Sequence, residues 1–199
     1  MTQRMALKAA IDLMHVPSQV RLYRAGPLPD DVLTLLRIAG GDEDVENAAA
    51  LNADRSRSVV QRAATFFIEQ ILFAPDADSY RVLGAGPRAT AAELRRNVAL
   101  LMRWLHPDMD PQSDRSIFVG RVTAAWNDLK TPERRAAYDD RLRSSEKTRS
   151  HHGRGKSRSG RSRRPERLRF ARNAQLLAGT DKISFFRRAL SILFQRPLQ

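Results

Sequence analysis

The strongest constraint on this fold is a pair of apolar stripes at helical spacing, joined by a short loop. From Thr90 to Leu105, a rotation of 100° per residue puts Leu94, Val98, Leu101 and Leu105 on one stripe. From roughly Asp114 to Lys130, Val119, Val122, Trp126 and Leu129 recur at three- and four-residue steps. Two such stripes across a short connection predict an antiparallel helical hairpin. The connection opens with His106-Pro107-Asp108.

Further signals flank the hairpin. Asp78-Ser79-Tyr80-Arg81-Val82-Leu83-Gly84 reads as a short helix stopped by Gly84 and Gly86-Pro87. Thr90-x-x-Glu93 matches a capping box, in which the hydroxyl and the carboxylate satisfy free amides at the helix start. Pro132 suits the first turn of a last helix with Thr131 as its cap, and that helix carries Arg135-Ala136-Ala137-Tyr138-Asp139.

Taken together, Asp78 to Leu142 resembles the J domain of the DnaJ co-chaperone family. The Tyr80-x-x-Leu83-Gly84 opening, its distance to His106-Pro107-Asp108 and the Arg-Ala-Ala-Tyr-Asp ending carry the resemblance. It implies that this loop and the basic face of the preceding helix dock on a DnaK-type chaperone and speed its ATP hydrolysis. Carried over residue by residue, the docking set is His106, Pro107, Asp108, Arg95, Arg96 and Arg103. General physics fits that role. Proline fixes φ and stiffens the loop, Asp108 can form charge-assisted hydrogen bonds, and the arginines would speed encounter with an acidic surface.

The sequence departs from the family pattern on one flank of that helix. Basic residues are common in the family at the positions of Ala99, Leu100 and Trp104, and Tyr is common at that of Val98. Leaving Leu100 and Trp104 in water would forgo roughly 2 kcal/mol each of possible burial. A segment outside the J domain is therefore expected to cover them, with the Val59 to Phe73 helix as the first candidate.

The rest of the chain also reads as helical, so the expected class is all-α. In residues 1–75, Met5, Leu7, Ile11, Leu13 and Met14 predict a helix ending before Pro17. After the Gly26-Pro27-Leu28-Pro29 break, Asp30 or Asp31 can cap a helix carrying Val32, Leu35, Leu36 and Ala39, which Gly40-Gly41 ends. Asp42-Glu43-Asp44 opens another helix through Ala50, since carboxylates suit the positive end of the dipole. Val59, Ala63, Phe66, Phe67, Gln70 and Ile71 mark a last helix before Pro75. No family signature is recognised in this region. It is either a bundle serving only the J domain or a module for oligomerisation or partner binding.

Charge divides the remainder. The chain carries +13, and Arg141 to Arg172 alone holds 13 Lys or Arg against two Glu, a net +11. The expected domains are a helical region at 1–75, a J domain at 76–142, a disordered Arg/Ser/Gly-rich linker at 143–166 and an amphipathic helical segment at 167–199. In the last, Ile183 to Phe194 presents a wide apolar face. It either docks back on the N-terminal region, the preferred reading, or lies on an anionic membrane surface.

Several function classes have no support. There is no cysteine, hence no disulfide framework or thiolate metal site. No phosphate loop or Gly-x-Ser-x-Gly motif occurs, and neither His15 nor His151-His152 has metal-ligand spacing with carboxylates. No cofactor, metal or enzymatic activity is expected. No apolar run reaches the roughly 20 residues that span a bilayer, and a cytoplasmic location is expected, with peripheral attachment at the inner membrane face as the variant. The competing function is an adaptor whose basic tail binds nucleic acid or a membrane surface, with a structural J-like domain.

Overall fold

Strong helical periodicity on both sides of Pro75 becomes nine α-helices among the described residues, with no strand. The computed structural model describes residues 5–109 and 115–152. Helix α1 (Met5–His15) ends before Val16, which at φ −128° and ψ 73° has left the helical region that the following Pro17 disfavours. A 3-10 turn at Pro17–Gln19 leads into α2 (Val20–Ala25), an element of six residues, too short for a helical period to show in the sequence. Its Arg24 reaches across the fold, donating to the Gln70 carbonyl at 2.7 Å and to Gln70 Oε1 at 3.1 Å.

Helix α3 spans Val32–Ala39. Asp31 precedes it but does not cap its amides. It sits at φ 65°, and its carboxylate accepts instead from Thr34 Oγ1 at 2.8 Å. Helix α4 (Glu43–Ala53) runs three residues beyond the expected Ala50, and Asp42 caps it by accepting from the Val45 amide at 3.3 Å. Helix α5 (Arg57–Phe67) continues into a π-helical turn at Ile68–Leu72. Phe67, Ile68, Ile71 and Leu72 are fully buried there, so the wider turn brings two pairs of large side chains inward.

The predicted hairpin is α7 (Ala91–Trp104) against α8 (Val119–Leu129), the latter preceded by a 3-10 turn at Arg115–Phe118. The capping box of α7 is complete. Glu93 donates its amide to Thr90 Oγ1 at 3.2 Å, and Thr90 donates its amide to Glu93 Oε2 at 2.7 Å. Short α6 (Ser79–Val82) and long α9 (Pro132–His152) close the unit. Buried Tyr80 donates to Asp139 Oδ1 at 2.7 Å, and Arg135 donates to Tyr80 Oη at 2.9 Å and to the Ala89 carbonyl at 2.7 Å. In the other direction Ser79 donates its amide to Tyr138 Oη at 2.7 Å. The two aromatic motifs 59 residues apart thus tie the ends of this unit together.

The stretch 143–152 corrects the sequence reading. It was expected to be disordered, yet α9 continues through it to His152. Once Pro132 to Leu142 is anchored, each further residue adds one hydrogen bond without a new nucleus, and Arg, Glu and Lys are good helix formers. An Arg143–Asp140 ion pair and a bond from Ser144 Oγ to the Asp140 carbonyl lie on that extension. The remainder of the expected linker, 153–166, and the expected segment at 167–199, including Ile183 to Phe194, lie outside the described residues. Among the described residues no helix is long and apolar enough to cross a membrane.

One hydrophobic core runs through both halves of the chain. Phe73 is its hinge point, with its ring 4.7 Å from Phe118 and 6.0 Å from Trp104. Gly84, at φ 61°, lies under α3 so closely that a Cβ there would stand 3.2 Å from the side chains of both Leu36 and Val32. Arg121 ties the end of the π turn to α8, donating to the Phe73 and Ala74 carbonyls at 2.6 Å each. Arg81 does the same for α2, donating to the carbonyls of Tyr23 and Gly26. These carbonyls lie where helices end, so the arginines satisfy acceptors that no helical amide reaches.

Trp104 is 2% exposed and Leu100 is half-buried. The cover is shared. Phe73, at the end of the expected Val59 to Phe73 segment, meets Trp104, while Leu100 lies against Gly40 at the end of α3. Arg115 stacks over the Trp104 ring, 4.8 Å from its centroid. Exposing a core tryptophan and its neighbours removes several kcal/mol, on the order of the 3–5 kcal/mol for truncating one. A fragment of residues 76–142 should therefore unfold at markedly lower urea concentration than the full chain. In a Trp126→Phe background, acrylamide should quench Trp104 strongly in the fragment and weakly in the full chain. Equal quenching would mean that residues 1–75 do not cover it.

Candidate functional site

The end of α7 is shaped by local turn chemistry. Leu105 closes the helix with its amide on the Leu101 carbonyl at 2.9 Å, and His106 follows with its amide on the Arg103 carbonyl at 3.0 Å. Met109 then donates its amide to the His106 carbonyl at 3.0 Å. That bond makes His106–Met109 a four-residue turn with Pro107 at its second position, where a fixed φ is favoured. Pro107 also lacks the amide that would let α7 propagate through the loop. The tripeptide therefore both stops the helix and sets the turn.

Inside the turn, His106 and Asp108 face each other. The Asp108 amide donates to His106 Nδ1 at 3.3 Å, and Asp108 Oδ2 lies 3.4 Å from the same nitrogen. The imidazole is about two-thirds covered, whereas the Asp108 side chain is 83% exposed. An ionised carboxylate in that position accepts hydrogen bonds only, and it is open to a cationic or amide donor from outside.

Arg95, Arg96 and Arg103 are all exposed on α7, with half-buried Ala99 between them. They lie on the side turned away from the Leu94, Leu101 and Leu105 stripe that meets α8. From Arg95 to Arg103 the rise is about 12 Å. The structure thus brings the six residues singled out in the sequence onto one helix and the turn that ends it.

Other parts of this neighbourhood had no sequence signal. The α3–α4 corner, Gly40-Gly41-Asp42, borders the turn. Arg103 Nη2 donates to the Gly41 carbonyl at 3.5 Å, and Met109 Cε lies so near Gly41 that a Cβ there would stand 2.9 Å from it. Gly41 takes φ 76°, a conformation that favours glycine. On the opposite flank Arg115 pairs with Glu69 at 3.7 Å. Burial raises the Glu69 carboxyl above its ordinary range, and the Arg115 charge works against that shift. Each contact joins residues far apart in the chain, which helical periodicity cannot foresee. Among the described residues no group of histidines and carboxylates could hold a metal ion.

A family model for the DnaJ domain matches residues 78–139. The chain carries a DnaJ domain. Its boundaries coincide with the elements tied by Tyr80, Arg135 and Asp139, from the start of α6 into α9. Curated relatives match over the same region. The chaperone protein DnaJ of Leifsonia xyli subsp. xyli is 38% identical over 63 residues, which is 32% of this chain and 17% of the relative. That of Tropheryma whipplei (strain Twist) is 44% identical over 63 residues, 31% of this chain and 17% of the relative. That of Brevibacillus choshinensis is 37% identical over 62 residues, 31% of this chain and 16% of the relative. The chain thus spans about a sixth of the length of these relatives, all of it in the DnaJ domain. No solved structure matches the chain.

The turn geometry can be tested apart from any partner. Pro107→Ala should leave the urea stability of the chain within about 1 kcal/mol, because the change acts on an exposed turn. It should also speed hydrogen exchange at the Met109 amide, which closes the turn on His106. Unchanged exchange at Met109 would show that Pro107 does not hold the turn.

Proposed function

We propose that the chain is a DnaJ-type co-chaperone that docks on a DnaK-type chaperone and stimulates its ATP hydrolysis. The exposed Asp108 carboxylate, fixed in a proline-set turn at the end of an arginine-bearing helix, carries this reading. The presence of the DnaJ domain supports it.

The proposed division of labour follows from exposure and charge. Arg95, Arg96 and Arg103 raise the rate of encounter with an acidic surface, an effect that salt screens over about 8–10 Å. Asp108 then makes the short-range contact, as an acceptor for a cationic or amide donor on the chaperone. His106 orients it by accepting the Asp108 amide. Pro107 limits the entropy lost when the turn is fixed against a partner. The chain supplies no reacting group in this scheme. It favours the hydrolysis-competent state of the chaperone by binding that state more tightly than the alternative. Residues 1–75 hold α7 and form one flank of the docking region, and the basic stretch Arg141 to Arg172 adds a second, sequence-indifferent attraction to polyanions.

The test is single-turnover ATP hydrolysis by a DnaK-type chaperone. Wild-type chain should accelerate it. Asp108→Asn keeps the side-chain shape and removes the charge, and should cut the acceleration by about tenfold or more, as expected for loss of a charge-assisted hydrogen bond of about 1.5–3 kcal/mol. Equal acceleration by both proteins, or none by either, would reject the proposal.

A further inference from the structure

The α3–α4 corner borders one end of the basic face of α7. Leu100 and Trp104, the neighbours of that face, are closed over by Gly40, Phe73 and Arg115. A surface that lies along Arg95, Arg96, Arg103 and the His106–Met109 turn therefore has the corner at its edge. The corner touches the end of the face at two places, through Arg103 on the Gly41 carbonyl and through Met109 on Gly41 itself.

The next residue is Asp42. Its carboxylate is gripped by Arg37, with Nε at 2.8 Å and Nη2 at 2.7 Å, and accepts from the Val45 amide. Those contacts hold its position without burying it, since its side chain remains 27% exposed. Arg37 and the Val45 amide keep the carboxyl below its ordinary range, with a smaller pull in the same direction from Arg103, which touches the adjoining Gly41 carbonyl at 3.5 Å. A helix cap alone would not need this charge, because Asn caps as well as Asp.

We propose that Asp42 is a specificity-determining residue for docking. It fixes a negative charge at the edge of the basic face and weakens the pull of Arg103 on an acidic partner surface. Productive docking is thereby restricted to a chaperone that presents a cation or neutral donor opposite the corner. The inference rests on the docking function proposed above.

The experiment is a titration of ATPase stimulation, using full-length chain and a DnaK-type chaperone at low salt. Four proteins form a cycle, namely wild type, Asp42→Asn, Arg103→Gln and the double variant, with Asp108→Asn as reference. Asn preserves the cap, and thermal melting checks that each protein is folded. Asp42→Asn should lower the half-saturating concentration about threefold, the effect expected of one charge within a Debye length. In the Arg103→Gln background most of that gain should vanish, because the coupling runs through Arg103. An unchanged or raised half-saturating concentration for Asp42→Asn overturns the proposal, as does an equal gain in both backgrounds. If Asp108→Asn is inert while Asp42→Asn behaves as wild type, only the role of Asp42 fails. If Asp108→Asn matches wild type, the docking function fails and this inference with it.

Discussion

The burial of Trp104 is the contact on which the arrangement depends. Helix α7 is apolar around more of its circumference than a two-helix hairpin can cover. Leu94, Leu101 and Leu105 meet the hairpin, while Leu100 and Trp104 point past it. Phe73 and the end of α3 close that second side, and Arg115 stacks on the indole. Beyond its first turn, the exposed residues of α7 are Arg95, Arg96 and Arg103. Packing thus narrows the helix to one charged face and points it away from the core. The N-terminal helices are part of the same core as the DnaJ domain, and they define an edge of its exposed face.

The side-chain bonds between the halves follow one physical rule. Where a helix or turn ends, its last carbonyls lack amide partners. Here arginines from the opposite half supply them, Arg121 at Phe73 and Ala74 and Arg81 at Tyr23 and Gly26, while Arg24 does the same for Gln70 within the N-terminal half. A guanidinium offers several donors in a fixed fork, so one side chain can hold two carbonyls. The half-buried stem adds packing, and burial lowers the affinity of Arg121 for its proton. Basic residues in this protein thus occupy two separate settings, as struts inside the fold and on the exposed face of α7.

Much of this was legible in the sequence, and the exceptions have physical causes. Periodicity located α1, α3, α5, α7 and α8 because each buries a regular stripe, and the Thr90 and Glu93 pair marked its helix start correctly. The mismatch of Leu100 and Trp104 with a solvent-facing surface signalled a cover. The stretch after Leu142 was misread because composition measures what a segment can bury alone, whereas α9 extends a helix already nucleated. Of the two cap candidates Asp30 and Asp31, Asp31 takes the N-cap position, but at φ 65° its side chain caps no amide, a backbone conformation that residue type alone does not reveal. Residues His106, Pro107 and Asp108 could be named from the sequence because they are consecutive and carry part of the family resemblance. The border formed by Gly41, Asp42 and Met109 could not, since it brings together positions about 60 residues apart that share no periodic pattern.

The most direct measurement is a hydrogen-exchange footprint of the full-length chain with and without an ATP-bound DnaK-type chaperone. Docking through the end of α7 predicts protection concentrated at 95–109, extending to the corner at 40–43, with little change at α1 or in the basic stretch 141–172. Protection confined to 141–172, with 95–109 unchanged, would contradict the account and assign the interaction to the basic tail.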